Sequence, residues 1–155
     1  MTLAVSTVAN VFVKLRRAKE RTTKAHHVDS ASGDPQTHPS LRGEDATCKR
    51  KVPMGHGDVF VCTGAVDVAK LLRGSRASLL EKAELLGGNV LVDESWSCTI
   101  CGPKNRKDGT FKVQIRYYAS ASRSSRPDPQ KPVALDRVQN VPGLMTIIDR
   151  EEFTP

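Results

Sequence analysis

Aromatic side chains are scarce in this sequence: one Trp, two Tyr and four Phe, 5% of 155 residues. Hydrophobic residues make up 38%, against about 45 to 50% for an average globular domain counted with its glycines. That is material for one core, and part of the chain is expected to stay unpacked. No apolar run approaches the ~18 residues that cross a bilayer, so no membrane span is expected. Neither G-x-x-x-x-G-K-S/T nor G-x-G-x-x-G occurs, which removes the phosphate-cradling loops of the common nucleotide sites. Acidic residues are missing from the start of the chain, none preceding Glu20.

What charge there is lies unevenly. Of 24 Lys/Arg and 17 Asp/Glu, ten and five fall in residues 1–51, so that third carries +5 of the net +7. A near-neutral remainder argues against a folded surface built to neutralise phosphates, and nucleic acid is not the expected partner. Residues 1–51 read as a basic, largely disordered segment. Within it, Val5, Val8, Phe12 and Leu15 recur at near-helical spacing beside Lys14, Arg16, Arg17 and Lys19. A basic, acid-poor, amphipathic start of this kind is also the pattern of a mitochondrial transit peptide. The apolar stretch comes before the basic one, the reverse of a secretory leader, so an intracellular, cytoplasmic setting with reduced thiols is expected. Residues 26–42, with two prolines and few large apolar side chains, read as linker.

Ordered structure is expected from Gly57, where DVFVCTG offers a buried strand. Ala65 to Leu72 predicts a short helix that Gly74 and Ser75 break or bend. The main helix then starts at Ser78 or Ser75, since Ser78 and Glu81 fit a capping box, and stops at Gly87, an inexpensive left-handed residue. Two strands follow, NVLVDESW and TFKVQIRYY, the second alternating cleanly between apolar and polar positions. Residues 120–132 hold three prolines and read as a flexible linker or loop, and the segment 133–155 supplies a final strand from Leu144 to Asp149. The expected fold is α+β, a small two-layer βαββ sandwich over residues 57–119, with a mainly antiparallel sheet and one covering helix.

Four cysteines are present: Cys48, Cys62, Cys98 and Cys101. Cys98 and Cys101 have the spacing of a zinc knuckle, in which two thiolates point at one cation from a tight turn. A tetrahedral site needs two further ligands, and Cys62 and His56 are the first candidates, ahead of Cys48, His38, His26 and His27. Without them these are reduced core or strand-end thiols. A reactive thiol needs a partner base, and none is evident in the sequence. His56, between two glycines, reads as an exposed loop residue, and Asp93 and Glu94 as solvated strand-end charges on opposite faces. Lys104, Arg106 and Lys107 with Trp96 form the one candidate contact for a ligand or single-stranded nucleic acid, by stacking plus phosphate contacts.

The segments VFVCTGAVD, EKAELLGGNVLVDE and VQIRYYASA resemble, over residues 59–121, small α/β domains of the YbjQ-like and RcsF-like type. Leu86-Gly87-Gly88-Asn89-Val90-Leu91-Val92 carries the motif, with Gly88 where alanine is usual and an inserted Trp96 to Cys101 stretch. The resemblance implies a βαββ fold, oligomerisation and a loosely defined binding role; it transfers no catalytic residue or metal ligand. The reading is thus a non-enzymatic interaction module with a protein partner or a second copy. The alternatives are a zinc-stabilised module and a thiol-based redox protein.

Overall fold

The computed structural model describes residues 27–103 and 109–155. Five strands and one helix follow in chain order: β1 (His27–Ala31), β2 (Val52–Thr63), α1 (Val68–Leu85), β3 (Val90–Cys101), β4 (Thr110–Ser122) and β5 (Thr146–Phe153). The strands form one antiparallel sheet in the order β1-β3-β4-β2-β5. The α+β class with one helix on an antiparallel sheet is as expected, and the final strand is present as β5, although it runs to Phe153 instead of ending at Asp149; β1, in the expected linker, adds an edge strand on the other side. Among the described residues no helix is long and apolar enough to cross a membrane.

Alternation along the strands assigns the two faces. Phe60, Cys62, Trp96, Cys98, Ile100, Phe111, Val113, Ile115 and Tyr117 turn to the inner face, where α1 contributes Val68, Leu71, Leu72, Leu79 and Ala83. The outer face carries Val59, Val61, Lys112, Gln114, Arg116, Tyr118, Ser97 and Thr99. Among the described residues, its far end is covered by Leu41, which packs on Val90 and Val92.

The helix is a single one. Gly74 and Ser75 lie in its middle without a break, and its N-cap is Asp67, whose carboxylate accepts from the Lys70 amide at 3.2 Å, in place of Ser78 or Ser75. A mid-helix glycine costs about 1 kcal/mol, whereas the buried side chains of Val68, Leu71, Leu72 and Leu79 each return about 1.5 to 3 kcal/mol. Burial therefore decides. The helix ends as the glycines dictate: Gly87 has φ +88°, its amide donates to Glu84 O, and the Gly88 amide donates to Ala83 O. This is the Schellman pattern of bonds. Asn89 then clamps the start of β3 to the chain leaving β4, exchanging two hydrogen bonds of 2.7 and 2.8 Å with the Ser124 backbone.

Two segments expected to be linkers are packed. Residues 27–42 supply β1, a reciprocal pair of backbone bonds between Gln36 and Glu94, and the buried Leu41. Composition missed this because a backbone ladder needs no apolar side chains. Residues 123–132 run without regular structure yet deliver Asp128 to the core, and Val133 is buried next to them. β2 begins at Val52, five residues before the expected start, and β3 continues through Cys101 with a bulge between Val92 and Ser95.

Candidate functional site

Two clusters of buried polar groups sit between α1 and the inner face. The first centres on Asp58 of β2. Its carboxylate accepts from Ser75 Oγ of α1 at 2.6 Å and from His56 Nε2 at 3.0 Å. Arg150 of β5 donates to it through Nε and Nη2 at 2.9 and 3.1 Å. Lys82 Nζ donates to His56 Nδ1 at 2.9 Å, so Nδ1 is the acceptor and Nε2 carries the proton that Asp58 receives. Arg150 also lies over the Phe60 ring, 5.3 Å from its centroid, and Asp58 raises its pKa.

The second cluster centres on Arg76 of α1, which is 2% exposed. Its Nε and Nη2 donate to Glu94 of β3, while Nη1 and Nη2 donate to Asp128 at 2.6 and 3.0 Å. Tyr117 Oη donates to Glu94 Oε1 at 2.8 Å. Burial alone would lower the Arg76 pKa, but the hydrogen bonds and charges of Asp128 and Glu94 outweigh it and hold the guanidinium firmly protonated. Burial works against the Asp128 carboxylate too; Arg76 and the amides of Leu91 and Gln130 prevail and keep its pKa below the ordinary value. Tyr117 is pushed up by burial and by the neighbouring Glu94 charge.

His56 and Glu94 therefore differ from their expected places. His56 is on a strand and fully buried, because the flanking Gly55 and Gly57 have no side chains and leave room for Tyr118, Pro155 and Phe153 on the other side of the strand. Glu94 is fully buried with Arg76, whereas Asp93 (φ +50°), at the bulge, stays exposed as expected of a strand-end charge. Neither Arg76 nor Asp128 is foreseen by sequence reasoning, since nothing local marks a charged residue as core. The one available signal is Arg76 on the same helical face as Leu72, Leu79 and Ala83.

The cysteines do not converge. Cys98 and Cys101 stand three residues apart on a continuous strand, so they leave it on opposite faces and form no knuckle turn. Cys98 lies in the core, where burial chiefly, helped by Asp29 and Cys62 and opposed by the Ser30 hydroxyl, pushes its thiol up to about 12. Cys62 is also buried, and its thiol is likewise raised by burial. Cys101 emerges on the outer face, its Sγ 3.5 Å from Nδ1 of His27, the residue opposite it on β1. Cys48 is exposed elsewhere.

His56, Asp58 and Glu152 do bring three donor atoms within 4.8 Å of one another. As arranged they do not fit a zinc ion: Lys82 occupies His56 Nδ1, and both Asp58 oxygens are held by Arg150. A dication there would face two cations at hydrogen-bond range from its ligands.

Trp96 is 2% exposed and donates from Nε1 to Val133 O at 2.8 Å, so it cannot stack on a base; Lys104, Arg106 and Lys107 lie outside the described residues. A groove of about 630 Å³ runs between His38 and Arg126 to Lys131, but its polar groups bond each other: His38 Nε2 donates to Lys131 O, and Arg126 to Ser40 O.

Among the described residues, what remains open is the outer face, whose side chains can be ordered in rows by register. Asp149, Val61, Lys112 and Cys101 make one row, Glu151, Val59, Gln114 and Thr99 the next, and Phe153, Gly57, Arg116 and Ser97 a third. The Phe153 ring covers Gly57, where a Cβ would come within 2.4 Å of it, and Tyr118, 42% exposed, lies beside Gly55. Comparison of the chain with protein-family models, curated proteins and solved structures finds no match in any of the three.

Proposed function

We propose that this chain is a non-enzymatic interaction module that binds a protein partner through the outer face of its sheet. The observation that carries the reading is where the polar chemistry lies. The groups able to act as acid, base or nucleophile on the inner face are buried and satisfied by one another: Asp58 by His56, Ser75 and Arg150, and Glu94 by Arg76 and Tyr117. The outer face instead presents apolar Val59 and Val61, aromatic Tyr118 and both signs of charge to solvent, the composition of a protein contact rather than of a phosphate-binding surface. The YbjQ-like resemblance, with its binding role and oligomerisation, points the same way.

A photo-cross-linking residue placed at Tyr118 tests this, with the same residue at the exposed Glu84 of α1 as control. Protein cross-links are expected from position 118 and not from 84. Equal yields at both positions, or none at 118, remove the reading.

One contact favours a second reading, thiol chemistry at Cys101. His27 is the partner base that the sequence does not reveal, 3.5 Å from the sulfur, and an adjacent base is what activates a nucleophilic thiol. Alkylation of Cys101 several-fold faster than Cys48, lost in His27→Ala, is the expected sign. Equal rates for the two thiols would leave His27 a bystander.

A further inference from the structure

We infer that the partner for the outer face is a second copy of this chain, packed sheet against sheet about a two-fold axis running along β2. The inference rests on the reading of the outer face as an interaction surface and names its occupant.

The charge pattern selects the geometry. β2 forms the middle column of the open region, with Val59 and Val61 outward. On one side lies β4, with Lys112, Gln114 and Arg116; on the other lies β5, with Asp149, Glu151 and Phe153. Cations flank the apolar column on one side and anions on the other. Within one copy the two charged columns stand on either side of β2, their backbones two strand spacings or about 9.6 Å apart, with Val59 and Val61 between them.

A two-fold axis along β2 exchanges the two sides while leaving each row opposite itself. It sets Val59 and Val61 against the same residues of the second copy. Lys112 then meets Asp149 of the other copy, Gln114 meets Glu151, and Arg116 meets the face of Phe153, an attractive cation–π pairing. Each of these contacts occurs twice, as an isologous interface requires. An axis across the strands would instead lay the β4 column on itself and the β5 column on itself, cation over cation and anion over anion, which the repulsion disfavours. The natural angle between packed sheets, about 30°, turns the axis only about 15° from β2 and keeps the paired rows within reach of the long Lys and Arg side chains. The open area is modest: about 19 Å across five strands and roughly 23 Å along seven residues. That is at the small end for specific interfaces, so association in the micromolar range is expected.

Sedimentation velocity of the full chain from about 1 to 300 μM tests the proposal. The mass should rise with concentration from 16.9 kDa toward twice that value. Lys112→Glu should weaken the dimer at least tenfold, Asp149→Lys likewise, and the double variant, which rebuilds the pair with reversed signs, should restore it. Far-ultraviolet circular dichroism and melting of each variant, expected unchanged, keep loss of fold apart from loss of contact. A monomer at every concentration overturns the proposal, as does a dimer indifferent to both charge reversals, which would place the contact elsewhere, such as the β5 edge. If the chain is monomeric while position 118 still cross-links selectively to another protein, only the self-association fails; if it does neither, the interaction reading fails with it.

Discussion

Arg76 and Glu94 meet across the helix–sheet interface with Nε 2.5 Å from Oε1, and their side chains are 2% and 0% exposed. Asp128, from an irregular segment more than thirty residues further along the chain, completes the guanidinium's partners and ties that segment to the core.

Removing the cation strands two buried carboxylates. Arg76→Ala should lower unfolding stability by about 3 to 5 kcal/mol, the usual result of breaking a buried ion pair from one side. Glu94→Gln should cost less, since Arg76 keeps Asp128. Urea denaturation of both variants measures the difference; equal losses would mean that Asp128 contributes little.

Asp128 makes stability fall in acid. Its folded pKa lies below the unfolded value near 3.9. The unfolded chain therefore binds the proton first, and the stabilisation is complete above about pH 5 and lost as pH falls through 4 toward the folded value. Asp128→Asn should flatten the stability profile below pH 5 relative to the parent, read from urea midpoints at stepped pH.

The four thiols should divide evenly in the native protein. Cys48 and Cys101 are accessible and should react with an aromatic disulfide reagent within minutes, while Cys62 and Cys98 are buried with raised pKa values and should react only on unfolding. Two equivalents released natively and four in denaturant is the expected count; three or more natively would mean that the β2–β3 side of the core opens readily.

Gly57 is a steric requirement. A Cβ there would meet the Phe153 ring at 2.4 Å, so Gly57→Ala should cost about 1 to 3 kcal/mol. Faster amide exchange should follow in β5 and not in β3. Phe153→Ala in the same background should recover part of the loss by removing the obstruction.

The helix stop and the alternating β4 were legible because each is set by local rules: left-handed Gly87 for the one, period two for the other. What decides the rest is long-range. Gly74 looks like a breaker until the helix is seen buried on both sides of it. Residues 27–42 look too polar to order until Gln36 is found bonded to the backbone of Glu94. Cys98 and Cys101 read as a knuckle only while β3 is taken to end at Trp96; extending it to Cys101 parts them. His27, opposite Cys101, is 74 residues away in sequence and invisible to any spacing argument.

Arg150 gives the last strand a kinetic lock. β5 is an edge strand held by one neighbour, the kind of element that copies of a protein can exchange. To leave, however, it must withdraw a guanidinium from Asp58, whose remaining donors are then His56 and Ser75. An exchanged dimer would recover the same pair between copies, so swapping gains little at equilibrium and must first cross the state in which the pair is broken. Neutralising Arg150 would lower that barrier and leave the end states nearly balanced, turning a stable edge into one that trades partners.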